Sequence, residues 1–413
     1  MSRAQSFSDW VVNFVSWNVK SLNHPVKRKK VLTHLQRLGT DIAFLQETHL
    51  RTSDHFRIKS GWVGQIYHSK FNSKARGIAI LISKTLPFIA TTVDEGRFVV
   101  VVGHLYGFPL ILANVYAPNW DDHSFFTNVF ARLPNMATHI IIFGGDLNCS
   151  LSAMDRSSHK STPVSKSARV IQRFLHSYGL ADVWRFRNPN SSQYCFFSNV
   201  HKTYTRIDYF FLDKKLLPSV TDCDYKAMVI SDHSPVVLSL RIPNAYSNYR
   251  PWRFNPVLLA DEEFVNYIRS QIDFFLAINQ TPGMSPSTVW ESLKAYLRGQ
   301  IISFCANKKR TILSDSQLAD EITKLDAVYS HCPDPVLYKR RLKLQTEYNL
   351  ISTKQAEYRI SKLRSYSYEH GEKTGKLLAH QLRQRTANQA IPEIRNDQGI
   401  RCTDNQGINN SFF

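Results

Sequence analysis

No stretch of the 413 residues approaches the roughly 18 consecutive apolar residues that a membrane-spanning helix requires. The opening Met1-Ser-Arg-Ala-Gln-Ser6 carries no apolar secretion segment. The chain therefore reads as intracellular, neither secreted nor membrane-embedded. Cysteine is sparse: six residues, at Cys149, Cys195, Cys223, Cys305, Cys332 and Cys402, with no close pair. That spacing argues against a disulfide framework or a structural zinc site and fits a reducing compartment. Acidic residues are also short, 33 Asp and Glu against 52 Lys and Arg, for a formal charge of +19 and a pI near 9.7. Both halves of the chain share this excess. A polyanionic partner, nucleic acid or an anionic membrane surface, is the natural inference. The bland reading is a basic surface that binds nothing. What is present suffices for a real core: 43% hydrophobic residues, in a chain long enough for one large domain or two ordinary ones.

One stretch organises the rest: Thr138-His-Ile-Ile-Ile-Phe-Gly-Gly-Asp-Leu-Asn148. The apolar run Ile140 to Phe143 predicts a strand buried on both faces. Gly144 and Gly145 are expected to let the backbone turn sharply. Asp146 and Asn148 then stand two apart on extended chain, pointing to the same side. Asp is rarely buried unless paired or bound to a metal. The competing reading is a plain Asx turn leaving the strand.

In chain order, Trp10 to Trp17 predicts a strand ending at Asn18, and Val26 to Leu38 an amphipathic helix with a basic outer face. Ile42 to Leu45 predicts a second buried strand, ending at Glu47. Gly77 to Ile82 follows, then a hairpin of Phe98–Leu105 and Pro109–Tyr116. Helices are expected near 123–133 and 166–178. Residues 193–198 and 205–211 read as paired strands around a polar tip, Asn199 to Tyr204. Val236 to Ile242 closes the series after Ser231-Asp-His-Ser-Pro235. Strands outnumber helices and several form adjacent hairpins. The expected fold is α/β (α+β), with two packed mixed sheets and helices outside, rather than a singly wound parallel sheet.

The candidate chemistry lies at strand ends: Asn18, Glu47, Tyr116, Asp146, Asn148, Asp208, Asp232 and His233. Singly, each has a dull explanation. Asn18 could cap the basic helix, Glu47 could be a solvated loop charge, and Asp208 could pair with Arg206. Together they are carboxylates and carboxamides at successive strand ends plus one His beside an Asp. Oxygen ligands suit a hard divalent cation, and Mg²⁺ takes only one or two carboxylates beside substrate phosphate and water. No His or Cys cluster with zinc spacing competes.

The ordered words Ser16-Trp-Asn18, Gln46-Glu-Thr48, Asn114-Val-Tyr-Ala-Pro118, Gly145-Asp-Leu-Asn148, Arg206-Ile-Asp208 and Ser231-Asp-His233 resemble the endonuclease/exonuclease/phosphatase superfamily of exonuclease III, abasic-site endonucleases and DNase I. The resemblance spans about residues 10–242 and implies a four-layered sandwich. Within the superfamily the chain looks most like the endonuclease of LINE-type non-LTR retrotransposons, through Met154-Asp-Arg-Ser-Ser158 and Tyr194-Cys-Phe-Phe-Ser198. Pro251-Trp-Arg-Phe254 and Ile394 to Ile400 are similar to the linker of those polyproteins. The resemblance implies Glu47 as principal metal ligand with Asn18 and Asp232, for Mg²⁺ or alternatively Mn²⁺. It further implies Asp146 and Asn148 on the attacking water, His233 paired with Asp208 at the scissile phosphate, and Tyr116 as a donor to phosphate or leaving oxygen. The reaction implied is in-line hydrolysis of DNA phosphodiesters, leaving 3′-hydroxyl and 5′-phosphate ends. Arg156 and the tip residues Asn199, His201, Lys202 and Thr203 are candidates for gripping double-stranded DNA; a salt bridge to Asp155 is the bland reading of Arg156. The larger insertions of repair enzymes are not recognisable, which favours nicking of undamaged DNA over an abasic-site or exonuclease III-type 3′–5′ activity. Two readings from different classes compete with a nuclease: a small-substrate phosphoesterase and a catalytically idle nucleic-acid-binding remnant. No aromatic-x-Asp-Asp word and no terminal cysteine-rich module follow, so the expectation is a fragment, truncated copy or domesticated remnant without reverse transcriptase. The expected location is nuclear, or a cytoplasmic ribonucleoprotein.

The domain scheme expected is 1–242 catalytic, 243–260 linker, 261–390 a mostly helical C-terminal arm, and 391–413 a poorly ordered tail. Helical periodicity resumes at 261–276 and 287–305. Leu318, Ile322, Leu325 and Tyr329, then apolar residues at 337, 344, 348, 351 and 358 beyond a turn at 331–335, predict the seam of a coiled-coil-like hairpin. Its basic flanks (Lys339-Arg-Arg341, Lys343) predict a solvated arm partly contacting RNA or DNA. Gly371 to Lys376 approaches a phosphate loop but is one residue short and follows no strand. Oligomeric state is not legible.

Overall fold

The computed structural model describes residues 10–59, 61–69, 77–95, 97–134, 136, 138–157, 164–198, 200, 202–242, 254, 258–259, 261–279, 285–311, 314–371, 394–395 and 401–402. Most of the expected linker, residues 372–390 of the arm, most of the tail, and the candidates Asn199 and His201 lie outside the described residues.

The chain begins with β1 (Trp10–Asn18), α1 (Pro25–Arg37), β2 (Ile42–Gln46), β3 (Val63–His68) and β4 (Ile78–Ser83). It continues through β5 (Phe88–Glu95), β6 (Phe98–Leu105), β7 (Phe108–Tyr116), α2 (His123–Ala131) and β8 (Ile140–Asp146). Then come α3 (Lys166–Ser177), β9 (Leu180–Asp182), α4 (Val183–Arg187), β10 (Phe196–Ser198) and β11 (Thr203–Thr205). β12 (Asp208–Asp213), β13 (Val220–Tyr225) and β14 (Val236–Ile242) complete the strands of the sandwich. One six-stranded sheet runs β13-β14-β1-β2-β4-β3 and the other β5-β6-β7-β8-β12-β9. Each contains one parallel pair, β1–β2 in the first and β7–β8 in the second, among antiparallel neighbours.

Three apolar layers hold four structural layers together. Between the sheets, Val12, Phe14, Ile42, Phe44 and Ile80 face Val99, Val101, Leu112, Ile142 and Phe210. On the outer face of the first sheet, Val15, Trp17, Ala43 and Leu45 pack on Val31, Leu32 and Leu35 of α1. On the outer face of the second, Ile111, Phe143 and Phe211 pack on Phe126 and Val129 of α2 and Ile171 and Phe174 of α3. The helices do what their patterns require, each burying one stripe and leaving the other to solvent. The expected sandwich of two mixed sheets with helices outside is what forms.

Period-two alternation decides where the polar ends of these strands point. In β1, β2, β7, β8 and β12 the even-numbered residues face the inter-sheet core and the odd-numbered ones the helices. Asn18, Gln46, Tyr116, Asp146 and Asp208 are all even. Polar side chains therefore continue the core where the strands run out, at one mouth of the interface between the sheets.

Three local expectations need correction. Gly144 and Gly145 do not make a turn; both lie inside β8. A Cβ on Gly145, at φ +139°, would meet the Val115 carbonyl oxygen at 1.9 Å, so glycine serves close approach of β8 to β7. The chain beyond Asp146 is not extended, because Asn148 adopts a left-handed φ of 47°. The run expected as one strand over 205–211 divides: Thr203–Thr205 pairs with β10, whereas Asp208 onward pairs with β8 and β9. The break falls at Arg206, whose backbone N–H donates to the Asp155 carbonyl at 2.8 Å instead of to a neighbouring strand, and whose buried guanidinium bridges Asp155 and Asp182.

Beyond residue 260 lie α5 (Glu262–Asn279), α6 (Pro286–Thr311), α7 (Ser314–His331) and α8 (Pro335–Gly371). One compact unit runs through Thr353 and so includes α7 and the first half of α8; residues from Lys354 form a second unit, in which Ile394–Arg395 and Arg401–Cys402 pair antiparallel. Among the described residues no helix is long and apolar enough to cross a membrane.

Gly145→Ala is expected to destabilise the protein by about 3 kcal/mol, since the clash is with backbone and cannot relax by a rotamer change. Gly179→Ala, at a left-handed φ of +64° but with nothing within 4 Å of the added carbon, is expected to cost only about 1 kcal/mol. Urea midpoints of the two variants against the parent protein measure the difference.

Candidate active site

At the mouth between the sheets the Asn18 amide lies between two carboxylates. Its Nδ2 donates to Glu47 Oε1 and to Asp146 Oδ2, both at 2.9 Å. The Tyr116 hydroxyl donates to the same Glu47 oxygen at 2.8 Å. Across the pocket, His233 Nδ1 and Asp208 Oδ2 are 2.8 Å apart, and His233 Nε2 is 3.9 Å from Asp146 Oδ2. Six of the eight strand-end candidates thus form one connected cluster. The seventh, Asn148, is joined through backbone: its N–H donates to Asp146 Oδ1 at 2.9 Å, and its Nδ2 donates to the Ala117 carbonyl. The Asx turn and the site are therefore one feature, not rivals. Asp232 sits beside them, its carboxylate 2.6 Å from Lys20 Nζ.

The dull explanations for these residues do not describe what they do. Asn18 does not cap α1, whose N-cap is His24. Asp208 pairs with His233, while Arg206 goes to Asp155 and Asp182. Asp155 in turn is held by Arg185 and Arg206, each at 2.8 Å.

Electrostatics divides the carboxylates. Burial would raise the Glu47 carboxyl, but hydrogen bonds from His49, Asn18 and Tyr116 and the nearby His233 charge bring it down to about 2. Asp146 goes the other way, pushed up to about 7 by burial and by the Asp208 charge. Burial works against a charged His233, yet Asp208 and Asp146 outweigh it and push the imidazole up to about 9. Near neutral pH the pocket thus holds an ionised Glu47, a cationic His233, and an Asp146 poised to exchange a proton.

Two sets of groups could receive a divalent cation. Ligand atoms of Asp146, Asp208 and His233 lie within 4.8 Å of one another. That set would require the neutral imidazole, which the two carboxylates flanking His233 disfavour. The Glu47 side fits better: its carboxylate is ionised and only partly buried, with Oε2 turned toward His49. The Lys20 ammonium already occupies a cation's place on Asp232. Backbone strain collects here too, with positive φ at Lys20, Ser21, Glu47, His49 and Asn148.

Several supporting residues escape a reading of the sequence. Gln46 donates to Ser16 Oγ at 3.1 Å and to Asn114 Oδ1 at 2.7 Å, and Asn114 donates to the carbonyls of Leu45 and Ala79. A signal for both exists: they are polar residues at core parity in otherwise apolar strands. Trp17 Nε1 donates to the His233 carbonyl and Ser231 Oγ to that of Asn18, tying the two loops of the pocket together. His49 carries no signal beyond its neighbour Glu47.

Of the residues expected to grip DNA, Arg156, Lys202 and Thr203 are described, and they lie on or beside the β10–β11 hairpin. Arg156 bridges through its backbone to Thr205 of β11, and Ser157 N–H donates to the Tyr204 carbonyl. Phe196 of β10 bridges to His233 through backbone, with its ring centroid 4.7 Å from the imidazole. Thr203 is half-buried and Lys202 exposed.

Known proteins share parts of this chain. A Xenopus laevis protein described as the transposon TX1 uncharacterized 149 kDa protein is 28% identical over 260 residues, which cover 61% of this chain and 20% of that one. The chain thus spans about a fifth of the length of that relative. Among solved structures, an AP endonuclease from Leishmania major aligns with 56% of this chain and 88% of its own, at 19% identity and a TM-score of 0.47. A Neisseria 3′ phosphatase bound to a product DNA hairpin aligns with 56% of this chain and all of its own (100%), at 20% identity and a TM-score of 0.46. The pattern of the Endonuclease/Exonuclease/phosphatase family matches residues 15–233, a span that takes in every converging side chain from Asn18 to His233, and the chain belongs to that family.

Proposed function

We propose that this chain is a metal-dependent DNA endonuclease that nicks one strand by in-line attack of water, leaving 3′-hydroxyl and 5′-phosphate ends. The observation that carries the proposal is the meeting, in one inter-sheet mouth, of an ionised Glu47 with a buried Asp208–His233 pair and Asp146. Members of the family are hydrolases of phosphodiester bonds and generally depend on divalent metal. The chain's net charge of +19 favours a polyanionic substrate over a small phosphoester. Similarity to a transposon protein supports target nicking for a mobile element; the basic residues Lys339, Arg340 and Lys343 of α8 offer element RNA a second site.

Each residue has a role that its surroundings prepare. Glu47, with the Asn18 carboxamide, would hold Mg²⁺ or Mn²⁺, and Asp232 would join them once the Lys20 ammonium leaves its carboxylate. Bound there, the ion supplies positive charge to the phosphate oxygens. His233, cationic and fixed by Asp208, stabilises charge on the scissile phosphate as it grows. Asp146, pushed up to about 7, takes the proton of the attacking water near neutral pH. Asn148 fixes the Asp146 carboxylate through its backbone N–H, and Tyr116 donates to Glu47 until substrate offers an oxygen in its place. Arg156, Lys202 and Thr203, with Asn199 and His201, grip the duplex alongside.

Supercoiled plasmid should be nicked in Mg²⁺, left intact with chelator, and nicked again when Mg²⁺ is restored. Glu47→Gln and His233→Ala should each lower the nicking rate by about 10²–10³-fold. Metal-dependent nicking that survives either change would falsify the site. A further comparison separates substrates: intact duplex should be cut at least as fast as duplex bearing an abasic site, and release of phosphate from small phosphoesters should be negligible. The opposite ranking favours a repair enzyme or a small-substrate phosphoesterase.

A further inference from the structure

The seam residues expected to face one another within a helical hairpin do more than that. α7 and α8 run antiparallel, as Tyr329 beside Tyr338 and Asp326 beside Arg341 show. Their shared face is also docked on the catalytic sandwich. Tyr329, Leu337 and Tyr338 close over Phe197 of β10, Tyr204 of β11 and Met228. About two turns further along, Ile322, Leu344 and Tyr348 close over Val229. Lys30 of α1 adds a polar tie, its Nζ reaching Asn349 Oδ1 at 3.1 Å and Thr353 Oγ1 at 3.3 Å.

The covered segments are the two that frame the pocket on this side. Residues 227–230 lead directly into Ser231-Asp232-His233. The β10–β11 hairpin carries Thr203, is flanked by Lys202, and is bonded to the catalytic loop where Phe197 N–H meets the Asp232 carbonyl at 3.4 Å. At the centre of the contact stands one ion pair. Asp326 Oδ1 accepts from Arg341 Nε and from the Tyr204 hydroxyl, both at 2.6 Å. Arg341, itself 5% exposed, also reaches the Met228 carbonyl at 3.4 Å. Lys202 lies with its ammonium 4.9 Å from the Tyr338 ring centroid, so the root of the hairpin tip rests on α8 as well. A single carboxylate thereby links the helical pair to β11, and its partner guanidinium links it to the catalytic loop.

We propose that the Asp326–Arg341 pair, acting through the Tyr204 hydroxyl and the Met228 carbonyl, is a specificity-determining brace that sets which phosphodiester of a bound duplex is presented to the pocket. The proposal rests on the nuclease reading above. Neither Asp326 nor Arg341 belongs to the pocket; both are positioning residues. A hydrophobic contact alone would tolerate sliding of the hairpin over α8. A buried, charge-assisted bond does not, because separation strands an unpaired charge.

The test uses the full chain with Asp326→Asn, which keeps shape and removes the charge, and Tyr204→Phe, which keeps the ring in its aromatic cluster and removes one O–H. Nick positions are mapped on an end-labelled duplex, and amide exchange is followed over residues 196–205 and 227–230. In Asp326→Asn the preference for the favoured phosphodiester over its neighbours should fall about tenfold, with amide exchange in both segments faster by a similar factor. In Tyr204→Phe both effects should be about threefold. Summed nicking at saturating DNA should stay within about twofold of the parent, with the loss appearing in KM. A parent chain that nicks no DNA sinks the nuclease reading. A parent that nicks, with both variants keeping its nick profile, overturns the brace, whatever happens to exchange.

Discussion

A hydrogen bond between two buried amides, Gln46 to Asn114 at 2.7 Å, joins the sheets one step inside the pocket. Its position matters more than its strength. Two apolar sheet faces can slide over each other with little change in buried area, whereas a buried amide that loses its partner keeps the full desolvation cost. Asn114 also donates to the carbonyls of Leu45 and Ala79, so β7 of one sheet is indexed on β2 and β4 of the other. Glu47 is the next residue after Gln46, and Tyr116 lies two beyond Asn114 on the same face. The contact that brings Tyr116 to Glu47 at 2.8 Å inherits its geometry from that amide pair.

The pocket built on this frame is an exercise in charge placement. Asp146, Asp208 and Glu47 converge, and three anions at such distances cannot all remain ionised without compensation. Three devices share the task. His233 carries a positive charge between Asp208 and Asp146. The Asn18 amide divides its two protons between Glu47 and Asp146. Asp146 itself shifts up to about 7. The result is a graded pair, with the partly exposed Glu47 firmly ionised and the deeper Asp146 poised between its two forms. Such grading suits a reaction that needs a charge anchor and a proton acceptor within one cavity.

Much of this is legible in the sequence, for identifiable reasons. Strands β1, β2, β7, β8 and β14 are apolar runs punctuated by polar ends, and period-two phase carries over from core to site without knowledge of the fold. What cannot be read is local backbone that depends on distant partners. The glycines of β8 are explained by the Val115 carbonyl on a neighbouring strand, not by a turn. The break between β11 and β12 falls at Arg206, whose backbone and side-chain partners, Asp155 and Asp182, are remote in sequence. Strand β9 is too short to show a period and β13 is largely polar; they form because β12 and β14 offer unpaired edges. The helical seam is legible as a seam, but its spacing cannot distinguish a partner helix from a docked loop.

Two ion networks among the described residues, one buried and one partly buried, lie where apolar packing would leave register undetermined. Arg206 with Asp155, Asp182 and Arg185 fixes the hinge between the β10–β11 hairpin and β12. Asp326 with Arg341 fixes the same hairpin from its other face. Exchanging either network whole for well-packed apolar groups would change stability little, although removing one partner alone would strand a charge. Their common effect is on position. The hairpin consists of two three-residue strands, too short to hold an orientation by its own ladder. It is held at its base by one charge cluster and along its flank by another, beside the pocket wall. In the nuclease proposed above, a wall held in this way would let phosphate geometry, rather than base identity alone, decide the cut.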